Sequence, residues 1–470
     1  MSSDIRAPVT AGDPAVVLGA SLAGLATAVT LATRFDRVTI VERDALPPLG
    51  EPRDGVPQGR HAHLLLPAGL QGLAELLPGF LDDLRGHGAH VIDAAELRFY
   101  LGEGRLAFDD TELAVSGATR PLIEGIIRER VRALPGVRFV DGCDVVGLAT
   151  DADRASVIGA RIRRRTGGGD VETVGAALVV DATGRASRSP RWLAGLGYSE
   201  PDEERLEIGV HYTTRLFRRD LGDLSGCRHV VVATPPGGRR GGLVLAVEGD
   251  RWLVTLVGSR GERAPTDLSG FVDYARSLWQ PDVHEVVAGA EPIGEAAIGS
   301  FPRYLRRRYD RLRRFPGRYV VTGDAVCSLN PVYAQGMSVA VREAQVLGQV
   351  LDRHGLDQIG LRCLRRARPI VDGAWTLATG ADLADRAVEG ARPLSWRFVN
   401  AYIDRLLRVA RWDPVVANAF LEVNAMVARP QRIMHPRLAV RVLRGARPAA
   451  PDAAPVARPR SRSVPPSARR

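Results

Sequence analysis

Six residues near the start of the chain, Gly19-Ala20-Ser21-Leu22-Ala23-Gly24, constrain the fold more than any other feature of the sequence. They end a short apolar run, Ala15 to Gly19, and open an Ala- and Leu-rich stretch, Ser21 to Thr33. The run reads as a buried parallel strand and the stretch as a helix. Arg37 to Val41 reads as the next strand and leads into Glu42. A β-α-β unit with this glycine spacing suits a dinucleotide. The first glycine makes the strand-to-helix turn, and the last lets helix and strand approach closely. Helix N-terminal amides then hold a pyrophosphate. Ser21 stands where a second glycine is usual, and its hydroxyl can donate a hydrogen bond there. Glu42 lies 18 residues after Gly24, where a carboxylate accepts ribose hydroxyls.

Two later motifs favour a flavin over a nicotinamide dinucleotide. Ala177 to Val180 reads as a strand before Asp181-Ala182-Thr183-Gly184, and Arg318 to Thr322 as another before Gly323-Asp324. The carboxylate of Asp324 can bind ribityl hydroxyls. The Gly336-Met337 turn opens a helix and aims backbone N–H groups at the flavin pyrimidine end, where reduction places negative charge. Between these pieces, Gly209 to Arg218, His229 to Thr234, Gly242 to Val247 and Trp252 to Gly258 alternate like strands, with Asp250 in a hairpin turn. The expectation is an α/β body assembled from distant segments, with an antiparallel sheet inserted. The body takes residues 15–65, 105–190 and 310–360; the substrate-binding insertions are 66–104 and 195–308. Residues 361–445 read as helical. There Phe398, Val399, Tyr402, Ile403, Leu406, Leu407 and Ala410 form one apolar stripe, expected to pack in the core. The Pro/Ala/Arg-rich residues 446–470 read as disordered.

Composition excludes several chemistries. All 64 basic residues are arginine. With no lysine there is no Walker lysine, no Schiff base and no lysine-assisted halogenation. The net charge is +10, but residues 446–470 hold six Arg against one Asp, so nucleic-acid binding by the body is not expected. No apolar run reaches the roughly 18 residues of a membrane span. Cys143, Cys227, Cys327 and Cys363 are far apart with no Cys-x-x-Cys pair, which fits a reduced, cytoplasmic setting without disulfides or zinc. His61-x-His63 has no neighbouring Cys, Asp or Glu to complete a metal site. No nucleophile motif of the Gly-x-Ser-x-Gly kind and no His-Glu-x-x-His set is present. No catalytic side chain is assigned.

The order of motifs resembles the p-hydroxybenzoate-hydroxylase-like flavoprotein monooxygenases, to about Gly445. Within that superfamily the chain looks most like the bacterial branch of polyether epoxidases, of the lasalocid and monensin type. The resemblance rests on Arg53-Asp54-Gly55-Val56-Pro57-Gln58-Gly59-Arg60-His61-Ala62-His63, Thr213 to Arg218, Asn330-Pro331-Val332-Tyr333-Ala334-Gln335-Gly336-Met337, and Asp372 to Thr379. It implies a Rossmann-like FAD-binding domain of the GR2 type, an inserted antiparallel substrate domain and C-terminal helices. It implies O2 as co-substrate, with NAD(P)H acting directly or through a separate flavin reductase. One oxygen atom would pass through a flavin C4a-hydroperoxide to an alkene of a hydrophobic polyketide or terpenoid, or to an aromatic ring. A prenyl-type reductase or dehydrogenase on the same fold is the other reading. The expected cofactor residues are Gly19, Ser21, Leu22, Ala23, Gly24, Glu42, Arg43, Arg53, Val56, Arg120, Asp181, Gly184, Asp324, Pro331, Gly336 and Met337. The expected pocket residues are Val56, Pro57, Tyr212, Arg215, Phe217 and Tyr333.

Overall fold

The computed structural model describes residues 13–53, 55–166, 169–235 and 237–445; the tail expected to be disordered lies outside them. The chain begins with β1 (Pro14–Leu18), α1 (Leu22–Ala32) and β2 (Arg37–Val41). It continues with β3 (Arg98–Leu101), β4 (Gly104–Arg105), α2 (Arg120–Arg132), β5 (Val137–Val140) and β6 (Leu178–Asp181). Next come β7 (Glu203–Arg218), β8 (His229–Val232), β9 (Arg240–Val247) and β10 (Arg251–Gly258). Helices α3 (Leu268–Arg276) and α4 (Asp282–Gly289) precede β11 (Pro292–Arg307), β12 (Tyr319–Val321) and β13 (Cys327–Ser328). The chain then turns helical through α5 (Gly336–His354), α6 (Ile359–Ala384), α7 (Leu394–Val409), α8 (Pro414–Asn424) and α9 (Pro436–Arg444).

The body is a five-stranded parallel sheet in the order β12-β6-β1-β2-β5. Ala15, Val16, Val17 and Leu18 of β1 are all fully buried, because a parallel sheet is covered on both faces. One face packs with α1, α2 and α5. The other packs against an antiparallel sheet of Cys143–Thr150, Val157–Arg164 and Glu172–Gly175. The α1 crossover works only because of its glycines. Gly19 has φ +103°, and a Cβ on Gly24 would stand 1.9 Å from the Gly19 carbonyl oxygen.

The second unit is an eight-stranded sheet in the order β13-β11-β7-β10-β9-β8-β3-β4. Its pairs are antiparallel except β8 with β3. Gly249 and Asp250 both take positive φ at the β9–β10 turn, as the Gly-Asp hairpin signal predicts. The sheet's outer face carries Phe217, Trp252, Val254 and Leu256, which pack against Phe271 and Tyr274 of α3 and Val283 of α4. Its other face turns toward the body.

Helices α7–α9 pack on the β3–β4 edge around Phe99, Leu106, Leu406, Val416 and Val442. The α7 stripe is split. Leu406 is fully buried, whereas Phe398 is 81% exposed and Val399 43% exposed. Only the C-terminal half of the stripe reaches another element. Among the described residues no helix is long and apolar enough to cross a membrane.

Candidate cofactor and substrate site

Glu42 lies just beyond the C-terminal end of β2, beside the glycine loop. Its Oε2 accepts the Ala20 N–H at 2.6 Å, and its Oε1 accepts those of Arg43 at 2.8 Å and Asp44 at 3.1 Å. Arg53 adds an ion pair at 3.0 Å. A carboxylate has about four lone-pair directions, so a ribose hydroxyl would have to displace one of these partners to bind here. Arg43 itself points away, more than half exposed and 3.4 Å from Asp44.

The start of α1 holds an anion already. Glu124 of α2 accepts the Ser21 hydroxyl at 2.6 Å and the Leu22 N–H at 3.1 Å. Arg120 reaches Glu124 at 3.0 Å and Ser21 at 3.1 Å, and Arg53 lies 3.5 Å from Glu124. Burial would raise the Glu124 carboxyl, but Arg120, Arg53 and the Ser21 hydroxyl outweigh it and hold the group at about 2. The pole of α1 therefore binds negative charge, as a helix N-terminus with unpaired N–H groups does. Arg53 Nε and Arg120 Nε are buried without a hydrogen-bond partner among the described residues. Two buried guanidiniums with spare donors at a helix pole fit the pyrophosphate of FAD. Glu124 was not anticipated. Its only local signal is its place four residues after Arg120, the spacing of a helical ion pair.

The late motif closes on the glycine loop. Gly323 takes φ +65°, and a Cβ there would stand 2.8 Å from the Ala23 side chain. Glu343 of α5 accepts the Gly323 N–H at 2.6 Å and the Thr322 hydroxyl at 2.9 Å. Burial raises its carboxyl to about 7, those two bonds oppose the shift, and the Asp324 charge adds to it. Burial also raises Asp324, against the pull of Arg120 and Arg185. Gln335 and Ser338, at the start of α5, keep a buried Oε1 and Oγ with no partner among the described residues. The Gln335 atom fits the polar rim of a flavin ring, whereas Ser338 Oγ lies against Gly69 of the helix over residues 67–76. Pro331 opens the turn 331–333, Gly336 opens α5, and the Met337 side chain packs in the core.

Asp181 has a different occupation. It is fully buried and accepts the Thr183 N–H and hydroxyl at 2.9 and 2.6 Å, and the Ser187 hydroxyl at 2.6 Å. Ser189 bonds it too. Apart from the Tyr319 hydroxyl at 3.5 Å, these are donors of the segment that follows it, so the carboxylate holds that loop. Gly184, with φ +78°, makes the turn.

The expected pocket residues divide between the two faces of the inserted sheet. Tyr212 and Thr214 face the body. There Thr214 Oγ1 lies 2.8 Å from His61 Nδ1 and 2.7 Å from Thr255 Oγ1, and the His61 and Tyr212 rings are 5.8 Å apart. Burial lowers the pKa of His61, and that of His63 to about 3, where the Arg120 charge adds to the effect. Both imidazoles are therefore neutral at pH 7. Phe217 is a correction: it is 0% exposed and packs under α3 and α4. Arg215 donates to the Gly294 and Thr266 carbonyls at 2.9 and 2.8 Å. Strand residues alternate in side, so odd positions of β7 belong to the outer face, and Leu216 replaces them on the inner one. Val56, half-buried, precedes the short turn 57–60 that Pro57 opens.

Tyr333 belongs to a cluster centred on Asp382, which no sequence motif contains. Asp382 of α6 accepts its hydroxyl at 2.7 Å, that of Tyr304 in β11 at 2.6 Å, and the Asn330 amide at 3.1 Å. Tyr212 donates to Asn330 at 3.4 Å. One carboxylate thus joins the inserted sheet, the turn before α5, and the C-terminal helices. Burial raises its pKa against these three neutral donors.

Fold and glycine loop together define a dinucleotide-binding α/β protein. The chain belongs to the FAD binding domain family, whose model matches residues 13–355. Protein Rv3254 of Mycobacterium tuberculosis (strain ATCC 25618 / H37Rv) is 33% identical over 422 residues, covering 87% of this chain and 88% of that one. A kynurenine 3-monooxygenase of Salinispora arenicola (strain CNS-205) is 28% identical over 428 residues, covering 86% of each. The fold is similar to that of PqsL, a probable FAD-dependent monooxygenase from Pseudomonas aeruginosa. That match has a TM-score of 0.59 at 17% identity, over 79% of this chain and 97% of PqsL.

Proposed function

We propose that this chain epoxidises an alkene of a hydrophobic polyketide or terpenoid intermediate, using FAD and O2. The chain is a flavin-dependent monooxygenase of the aromatic-hydroxylase-like kind. Bound FAD supplies the oxygen-activating chemistry. Reducing equivalents come from NAD(P)H, on this chain or through a separate flavin reductase.

The chain's own residues supply position and exclusion. Arg53, Arg120 and the α1 pole hold the pyrophosphate. The N-terminus of α5 offers N–H groups to the charge that builds on the reduced ring. The observation that carries the substrate class is the inner wall between sheet and body. There the buried Leu64, Leu66 and Leu253 pack with the partly buried Leu216, Leu243 and Ala334 on the inward face of the sheet. Neutral His61 adds no cation beside them. Such a wall suits an apolar chain and keeps water from the reacting oxygen. The relatives named kynurenine 3-monooxygenase favour aromatic hydroxylation as a second reading.

The test is turnover under ¹⁸O₂ with lipophilic alkenes and arenes, supplied with NAD(P)H and a flavin reductase. One labelled oxygen in an epoxide supports the reading, and label in a phenol replaces it with hydroxylation. NAD(P)H consumption with a saturated, unlabelled product would assign the chain to the reductases instead.

A further inference from the structure

The net charge of this chain is concentrated at its C-terminal end. Residues 429–470 contain eleven arginines and one aspartate. The residues before Arg429 therefore carry equal numbers of arginines and acids, and the whole +10 belongs to the last 42 residues. The structure shows where that charge begins. α9 is seated by Leu438 and Val442, which are 4% and 0% exposed in the C-terminal core. Arg405 of α7 fixes its end by donating to the Val442 and Leu443 carbonyls.

The outward side of α9 is both apolar and basic. Val440 is 45% exposed and Leu443 60% exposed, with Arg437 and Arg444 one turn away on either side. These two arginines make no ion pair among the described residues, whereas Arg441 is held by Asp413 and Arg432 by Glu422. Met434, just before α9, is 50% exposed. Tyr402 donates to the Ile433 carbonyl, and one turn earlier on α7 stands Phe398, 81% exposed. The exposed Phe398 thus stands one helical turn from the residue that holds the segment leading into α9.

We propose that this face docks on an anionic phospholipid surface. Protruding aliphatic side chains flanked by arginines, and continued by an arginine-rich extension, match what such a surface rewards. Apolar groups enter the boundary region, while cations stay at the headgroups. A duplex would be met through its phosphates by the arginines alone, which gives no role to the exposed Val440, Leu443 and Met434. The contact is peripheral and reversible, and it goes beyond the oxygenase reading without depending on it.

The test is sedimentation of the full-length, FAD-loaded protein with vesicles of equal parts phosphatidylglycerol and phosphatidylcholine, against pure phosphatidylcholine. The expected result is pelleting with the anionic vesicles alone, weakened about tenfold when NaCl rises from about 0.1 to 0.5 M. Val440→Ser with Leu443→Ser removes only the apolar part, and Arg437→Ser with Arg444→Ser only charge. Each pair is expected to lower partitioning several-fold at unchanged flavin content, because these side chains are exposed and lie outside the cofactor site. Absence from both pellets overturns the proposal. So does equal pelleting of the Val440/Leu443 variant, which would leave a purely ionic contact. Binding to duplex DNA but not to vesicles assigns the charge to nucleic acid. A dimer that the Val440/Leu443 variant dissociates, without vesicle binding, assigns the face to self-association.

Discussion

Two carboxylate centres, one buried and one half-buried, flank the flavin-binding body, and they are built on opposite principles. At the α1 pole, Glu42 and Glu124 face Arg53 and Arg120, so charge is compensated within one tight group. Across the site, Asp382 has no cationic partner among the described residues and is held by two phenols and an amide. Burial works on both centres. Guanidiniums drive the Glu124 carboxyl down to about 2, whereas Asp382, with neutral donors alone, stays raised. The comparison teaches which centre meets a charged ligand. A pole with two spare guanidinium donors suits a pyrophosphate. An uncompensated carboxylate ringed by donors suits a fixed joint between domains.

The largest expected effect comes from breaking the first centre. Arg53→Ala leaves Glu42 short of a partner and Glu124 with one cation fewer, and removing one partner of a buried pair costs about 3–5 kcal/mol. Purified protein is expected to lose most of its flavin and to melt lower; full flavin occupancy would sink the assignment of this pole.

Asp382→Asn is expected to be milder, about 1–3 kcal/mol, because the amide keeps an acceptor but leaves one phenol unpaired. Thermal melting should fall while the flavin-to-protein ratio holds near wild type. Flavin loss equal to that of Arg53→Ala would erase the distinction between the two centres.

Glu343 sharpens the contrast as an intermediate case, a carboxylate held by a backbone N–H and a hydroxyl. Its folded pKa, about 7, lies above the ordinary value of 4.5. Its ionisation thus weakens the fold as pH rises from about 4.5 to 7, and the penalty remains above 7. Glu343→Gln is expected to raise stability at pH 8, on the order of 1–3 kcal/mol, and to change little at pH 4. Melting curves at the two pH values check it. Destabilisation at pH 8 would mean that the surroundings favour the ionised carboxylate and that its pKa is not raised.

Much of the first centre was legible in the sequence. The Gly19–Gly24 spacing, the strand before it and Glu42 after it predict the crossover, since each acts through neighbours a few residues away. Arg53 and Arg120 came from the family resemblance. Glu124 went unread because a glutamate on a helix is usually solvated, and only its approach to Ser21 from 103 residues away marks it. Phe217 was misplaced because alternation shows that a strand has two faces without saying which one meets the ligand.

The sequence by itself determined the parallel crossover, the hairpins of the inserted sheet, the absence of lysine chemistry and the pooling of charge at the C-terminal end. Those follow from local sterics, period and composition. The tertiary structure alone decided which sheet face looks inward and which glutamate sits at the helix pole. It alone decided that Asp382 joins Tyr304, Tyr333 and Asn330, and that half of an apolar helix stripe stays in water. Such facts depend on burial and on partners tens to hundreds of residues apart, and no local pattern encodes where distant surfaces meet.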